Sequence, residues 1–237
     1  MRNSTHFSLL VPIAADKAEY AGAMPYVFAP GSDGILLCLK SILGLNLDTF
    51  EAIYFTILRK HALAYDIDSI LGLQLRRLGL WDKARIVILD EPTDTQAETI
   101  AETIDKERIS GAIFIKDADG YFKAEVFPEN GIAVYPLEEL NLVDPRNKSY
   151  VAVDDMQYVT NIIEKKVIGN LFNAGGYCFA DADDFMDVYH RHRDAGHIYL
   201  SHLIYSMLLD HHSFRPVKVS DYRDWGTKSL YHLSSNY

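Results

Sequence analysis

Cysteine is nearly missing from this chain: Cys38 and Cys178 are the only two among 237 residues. No Cys-x-x-Cys pair occurs, so a disulfide framework is excluded and a reducing, cytoplasmic setting is expected. Long apolar runs are absent too. Nothing approaches the roughly 20 residues that a membrane span needs. The opening MRNSTHFSLLVPIAAD has an apolar run too short and too soon interrupted for a signal peptide. Basic residues are in deficit, 23 Lys and Arg against 33 Asp and Glu, which leaves a formal charge of −10. Nonspecific nucleic-acid binding rests on Lys and Arg, so such a role is not expected. A small anion needs only a few donors or a bridging metal, so a nucleotide or sugar phosphate is still admissible. There is no internal repeat, low-complexity block or Pro/Gly/Ser linker.

What remains is an ordinary globular composition, 49% hydrophobic and 24% charged, in a length that buries a core without staples. The first half alternates in pattern. Strands are predicted at residues 7–13, 52–58, 84–91 and 111–117, with helices at 33–45, 66–80 and 94–107; Asp33 is a candidate cap for the first. The second half reads as short strands at 121–127, 131–137, 149–155, 158–166 and 173–180. Helices at 182–192 and 197–212 and a strand at 214–222 follow. The expected fold is α/β, a three-layer sandwich around a mixed, mostly parallel sheet. A single domain is expected, with an alternating half (7–117) joined to a more antiparallel half (118–237). Ligands of open sheets bind beyond the carboxyl ends of the parallel strands. The ends AADK (14–17), DEPTDT (90–95) and KDAD (116–119) should therefore meet at one cleft.

Four segments carry candidate chemistry. In KDADGYF, Asp117 and Asp119 place two hard oxygen ligands at a strand end, as Mg²⁺ or Mn²⁺ requires. The same letters also suit an acidic turn with Gly120 at positive φ. In DEPTDTQAE, Thr93, Asp94 or Thr95 can cap a helix whose amides would face the cleft, with Gln96 beside it. Glu164 and Lys165 stand at a strand end, and Asn173, Gly175 and Gly176 precede another apolar strand, where glycines admit a ligand close to the backbone. Asp224 sits in a compact Asp-Trp-Gly-Thr that either turns the chain or brings a second carboxylate to the metal.

In this order the segments resemble the sugar-1-phosphate nucleotidyltransferases, the pyrophosphorylase branch of the GT-A fold. The resemblance runs over about residues 7 to 231 and rests on the Gln-Ala-Glu, the Asp before Gly-Tyr-Phe, the Glu-Lys, the Asn-x-Gly-Gly-Tyr and the Asp-Trp-Gly-Thr together. It implies that Asp119 and Asp224 bind the metal, with Asp117 accessory. Glu164 and Lys165 would meet the sugar phosphate, Gly175 or Gly176 and Asn173 would line the sugar pocket, and Gln96 would lie near the base. Ala14, Ala15, Asp16 and Lys17 would stand where the family has its phosphate loop, with Lys17 assisting the leaving pyrophosphate.

That loop departs from the family pattern. Gly-x-Gly-x-Arg followed by Pro-Lys is replaced by AADKAEYAGAMPY, so Ala15 and Lys17 take the glycine positions, Glu19 the arginine and Tyr26 the lysine. A carboxylate in place of a cation inverts the local field around a triphosphate, and loss of one transition-state donor costs about 10²–10³ in rate. The expected activity is transfer of a nucleotidyl group from a nucleoside triphosphate to a sugar 1-phosphate or similar acceptor. The alternatives are a catalytically impaired relative that binds a nucleotide sugar, and a GT-A glycosyltransferase using Asp117-x-Asp119. Six of nine histidines fall between His190 and His212 without the spacing of a helical zinc site. They are read as a surface or interface helix, or as a contact for an anionic partner. The aromatic tail LYHLSSNY offers a surface for a homo-oligomer.

Overall fold

A computed structural model describes residues 6–14, 23–139 and 147–226. The strands are β1 (Phe7–Ile13), β2 (Ala52–Leu58), β3 (Ala84–Leu89), β4 (Ala112–Lys116), β5 (Gly120–Lys123), β6 (Gly131–Pro136), β7 (Ser149–Val153), β8 (Val159–Glu164), β9 (Leu171–Phe179), β10 (Arg215–Lys218) and β11 (Ser220–Asp224). The helices are α1 (Leu37–Lys40), α2 (Arg59–Tyr65), α3 (Ile67–Arg77), α4 (Gln96–Glu107), α5 (Ala182–His192) and α6 (Leu200–Leu209).

One sheet runs through both halves in the order β10-β6-β9-β4-β1-β2-β3, with β7 and β8 attached beside β9. Pairing is parallel from β4 through β1 and β2 to β3, and antiparallel where β9 inserts between β4 and β6. The expected three layers are present, and the reason lies in the two-residue period of a strand. Leu9 and Val11 of β1, with Ala112 and Phe114 of β4, pack against Cys38, Leu39, Leu71 and Leu75 on one face. Leu10, Ile113 and Ile115 pack against Ile100, Ile104, Phe185, Leu203 and Ile204 on the other. A sheet buried on both sides reads as continuous apolar runs, which is how β1 and β4 read. None of the helices among the described residues is long and apolar enough to cross a membrane.

The helices on the second face follow amphipathic spacing. In α4, Ala97, Ile100, Ala101 and Ile104 are buried, the i, i+3, i+4, i+7 stripe of a helix against a core. Thr95 caps it by accepting the Glu98 N–H at 3.1 Å, and Glu98 reaches back to the Asp94 N–H at 2.6 Å.

Two local expectations change. The helix over 33–45 shrinks to the single turn of α1, with no side-chain cap from Asp33, which instead bonds Lys40 and the Ile35 N–H. The chain leaves the helical path because it must run against β5: Leu45 bridges Ala124, and a β-carbon on Gly44 would lie 2.0 Å from the Phe122 carbonyl oxygen. The strand over 214–222 divides at Val219. Its first part, β10, joins β6 in the main sheet, and its second, β11, leaves to pair with β5. That division positions the site.

Candidate functional site

The strand order turns back between β1 and β4, since the chain winds outward from β1 to β3 and then returns to the other side of β1. Such a switch point opens a crevice at the carboxyl ends of its two strands. A cavity of about 320 Å³ lies there, lined by Pro12 and Ile13 at the end of β1, Thr95, Gln96 and Thr99 at the cap and first turn of α4, and Asp117 and Asp119 after β4. This is the small end of ligand-pocket sizes. Pro25 and Val27 close one side, and His197, Ile198 and Tyr199 another.

Asp117 and Asp119 both line the cavity but differ in their partners. Asp117 is half-buried and held: Gln96 Nε2 donates to its Oδ1 at 2.5 Å, and its N–H bonds the Gly175 carbonyl at 2.9 Å. A β-carbon on Gly175, which sits at φ 86°, would lie 2.7 Å from Asp117 Oδ2. The space left by that glycine is therefore filled by the carboxylate. Burial, then the adjacent Asp119 charge, raises the Asp117 pKa above the usual carboxylate range. Asp119, two residues on, faces the cavity, and among the described residues no hydrogen bond or ion pair reaches its carboxylate.

Asp224 is brought to Asp119 by strand pairing. It stands opposite Gly120 in the β5–β11 ribbon, and the next residue, Trp225, donates its N–H to the Asp119 carbonyl at 2.7 Å. A β-carbon on Gly226 would lie 2.9 Å from Asp224 Oδ1 and 3.8 Å from Asp119 Oδ2, so both carboxylates border one small space. The turn is therefore no Asp-Gly hairpin: β5 pairs with β11 rather than with β4.

Two lysines absent from the sequence reading stand under these carboxylates. Lys116 is fully buried, and its Nζ donates to the carbonyls of Asp117 at 2.8 Å and Gly120 at 2.9 Å. It pins both ends of the turn that carries Asp119. Burial lowers its pKa to about 8 against the pull of Asp117 and Asp119. Lys148 donates to Asp224 Oδ2 at 2.6 Å and to the Tyr222 hydroxyl at 2.7 Å. Burial opposes its charge, but Tyr222 and Asp224 outweigh it and hold its pKa above the usual lysine value. A lysine in an apolar strand, as in Phe-Ile-Lys-Asp, was a legible sign for Lys116. Lys148 carried none, because its partner is distant in sequence.

The remaining predicted residues divide. Gln96 lines the cavity. The Lys165 ammonium bonds the Tyr199 hydroxyl at 2.9 Å and lies 4.8 Å from its ring centre, so it reaches the cavity wall through Tyr199. Glu164 turns away from Lys165: it accepts from the Ser149 and Ser201 hydroxyls and borders a separate groove with His202 and Tyr205. Asn173 Oδ1 accepts the Gly175 N–H at 2.6 Å and the Gly176 N–H at 3.3 Å, which shapes the β9 bend. Gly176 is required by packing, since a β-carbon there would come within 2.9 Å of Ala133, Phe114 and Phe122. Ala14 is buried against Leu58, Val87 and Leu89, while its carbonyl accepts from the Thr93 N–H. Ala15, Asp16, Lys17 and Glu19 lie outside the described residues. The histidines scatter, and His197 joins the cavity wall, which the sequence reading did not anticipate.

No protein-family model matches the sequence, and no curated protein matches it. Solved structures do match. The chain superposes on the nucleoside-diphosphate-sugar pyrophosphorylase from Vibrio cholerae RC9 with a TM-score of 0.79 at 18% identity, covering 97% of this chain and 100% of that one. It is similar to the inositol-1-phosphate CTP transferase from T. maritima (TM-score 0.69, 16% identity, 99% and 97% covered). It is also similar to a UDP-glucose pyrophosphorylase complexed with UDP-glucose (0.70, 13%, 98% and 97% covered). At these identities the likeness is one of fold. The fold is that of sugar-phosphate nucleotidyltransferases, as the motif order implies.

Proposed function

We propose that this protein is an enzyme that transfers a nucleotidyl group from a nucleoside triphosphate to a sugar 1-phosphate or similar phosphorylated acceptor, with release of pyrophosphate. The observation that carries this reading is the approach of the Asp224 carboxylate to Asp119, set by the Gly120–Asp224 register of the β5–β11 ribbon, beside a cavity at the β1/β4 switch point. The fold shared with a UDP-glucose pyrophosphorylase supports it.

In the reaction an acceptor phosphate oxygen attacks the α-phosphorus in line. The bond from that phosphorus to the α,β-bridging oxygen breaks, and its electrons leave with pyrophosphate. Asp119 and Asp224 suit Mg²⁺ (or Mn²⁺), because hard carboxylate oxygens border one space and magnesium uses one or two of them with substrate phosphates. A metal bound there supplies positive charge to the phosphoryl oxygens. Gln96 and the α4 amide end face the nucleotide. Lys165, oriented by Tyr199, draws the acceptor phosphate to the opposite wall. Lys17, outside the described residues, is assigned the role of assisting the leaving pyrophosphate. Two buried free thiols support a cytoplasmic setting.

The test is pyrophosphate release from a panel of nucleoside triphosphates and sugar phosphates with Mg²⁺. Release that depends on both substrates is expected. No release across the panel, with nucleotide-sugar binding intact, would overturn the reading.

A further inference from the structure

The closeness of Asp119 and Asp224 hides an asymmetry. The Asp119 carboxylate is open to the cavity and, among the described residues, takes no hydrogen bond. Asp224 is fully engaged: Lys148 Nζ holds Oδ2 at 2.6 Å, and the Gly226 N–H holds Oδ1 at 2.7 Å. The Lys148–Asp224 pair is largely buried, with side-chain exposures of 16% and 11%. A close ammonium satisfies the carboxylate charge that would otherwise draw a cation.

The surrounding charges deepen the asymmetry. Lys116 stands within electrostatic reach of Asp117, Asp119, Asp224 and Lys148. Those three carboxylates already have two ammonium groups among them, so little net negative charge is left for a divalent ion. Magnesium also gives up its water reluctantly. One ammonium donor of Lys148 goes to Asp224 and one to Tyr222. An ammonium has three donors, so one is left for an incoming anion.

We propose that Lys148 occupies Asp224 in the ligand-free protein, so that a divalent cation meets Asp119 alone, and that a polyphosphate ligand completes the metal site by becoming the counter-charge of Lys148. This rests on the nucleotidyl-transfer reading for the identity of the site, but its test does not use turnover. Arrival order follows from it: the free protein binds metal weakly, and metal and polyphosphate bind tightly together.

The experiment measures Mn²⁺ binding by electron paramagnetic resonance, with and without a nonhydrolysable nucleoside triphosphate. In the free protein Lys148→Met is expected to tighten Mn²⁺ at least tenfold, Lys148→Arg to leave it weak, and Lys148→Met combined with Asp224→Asn to lose the gain. If Lys148→Met does not fold, as circular dichroism will report, single carboxylate variants decide. Asp224→Asn should then change free-protein Mn²⁺ affinity less than about threefold. With the analogue present, Asp119→Asn and Asp224→Asn should each weaken it at least tenfold. The proposal is overturned if Lys148→Met leaves the affinity unchanged, if the double variant keeps the gain, if Asp224→Asn weakens metal binding in the free protein more than threefold, or if it has no effect in the loaded one. The expected Mn²⁺ pattern without pyrophosphate release would sink the activity and leave this inference standing.

Discussion

Asp119 and Asp224 are brought together beside the cavity on backbone that is hydrogen-bonded through two strands, whereas Lys165 reaches Tyr199 of the cavity wall at the end of a long side chain. The carboxylate end is fixed by the Gly120–Asp224 pairing, the Trp225 N–H bond to Asp119 and the grip of Lys116 on the carbonyls of 117 and 120. The lysine end begins at a residue with φ 57° that terminates β8, and one tyrosine hydroxyl orients it. A metal site tolerates little displacement of its ligands, while a phosphate can be met by an ammonium from many directions. Under the proposed function the rigid end would hold the metal and the adaptable end would meet the acceptor.

Substitutions that preserve backbone but remove charge sharpen this contrast most. Asp119→Asn or Asp224→Asn is expected to lower pyrophosphate release by about 10²–10³, the size of a lost transition-state contact. A rate within threefold of the parent would remove that residue from the site. Lys165→Ala should act differently, raising KM for the acceptor more than it lowers kcat; an equal fall in kcat and kcat/KM would place it at the reacting atoms instead.

Smaller effects probe the supports. Gly175→Ala forces a β-carbon toward Asp117 at a positive φ, and a loss of about 1–3 kcal/mol in urea unfolding is expected. Thr95→Ala removes the α4 cap, with a loss of about 1 kcal/mol by the same measurement. The least effect should come from thiol chemistry. Burial pushes Cys38 and Cys178 up to about 12 from an ordinary 9.0. Neither should react with a disulfide reagent at pH 8 until the chain unfolds. Because the unfolded thiols ionise first, their contribution to stability is complete below pH 9 and declines as pH rises toward about 12. Native-state labelling at pH 8 would contradict the burial.

Much of this was legible in the chain itself. Continuous apolar runs marked β1, β2, β3 and β4, and a Thr-capped stripe marked α4, because the burial of both sheet faces and of one helix face leaves a period in the letters. Asp119, Asp224 and Gln96 were named from short motifs. Harder to see was the single stretch from 214 to 222 that serves two sheets, since nothing in its composition changes at Val219. The same holds for 33–45, whose helical spacing lost to close backbone contact with β5.

By itself the sequence determined the layered α/β fold, the ends of its parallel strands and the residue types available there, because local period and chain order decide these. Only the tertiary structure decided which groups meet. Lys148 and Asp224 are joined at 2.6 Å, Asp117 is held by Gln96, Glu164 is engaged by Ser149 and Ser201, and His197 is brought to the cavity wall. Each depends on contacts between distant segments, where strand register and packing, not local preference, set the distance.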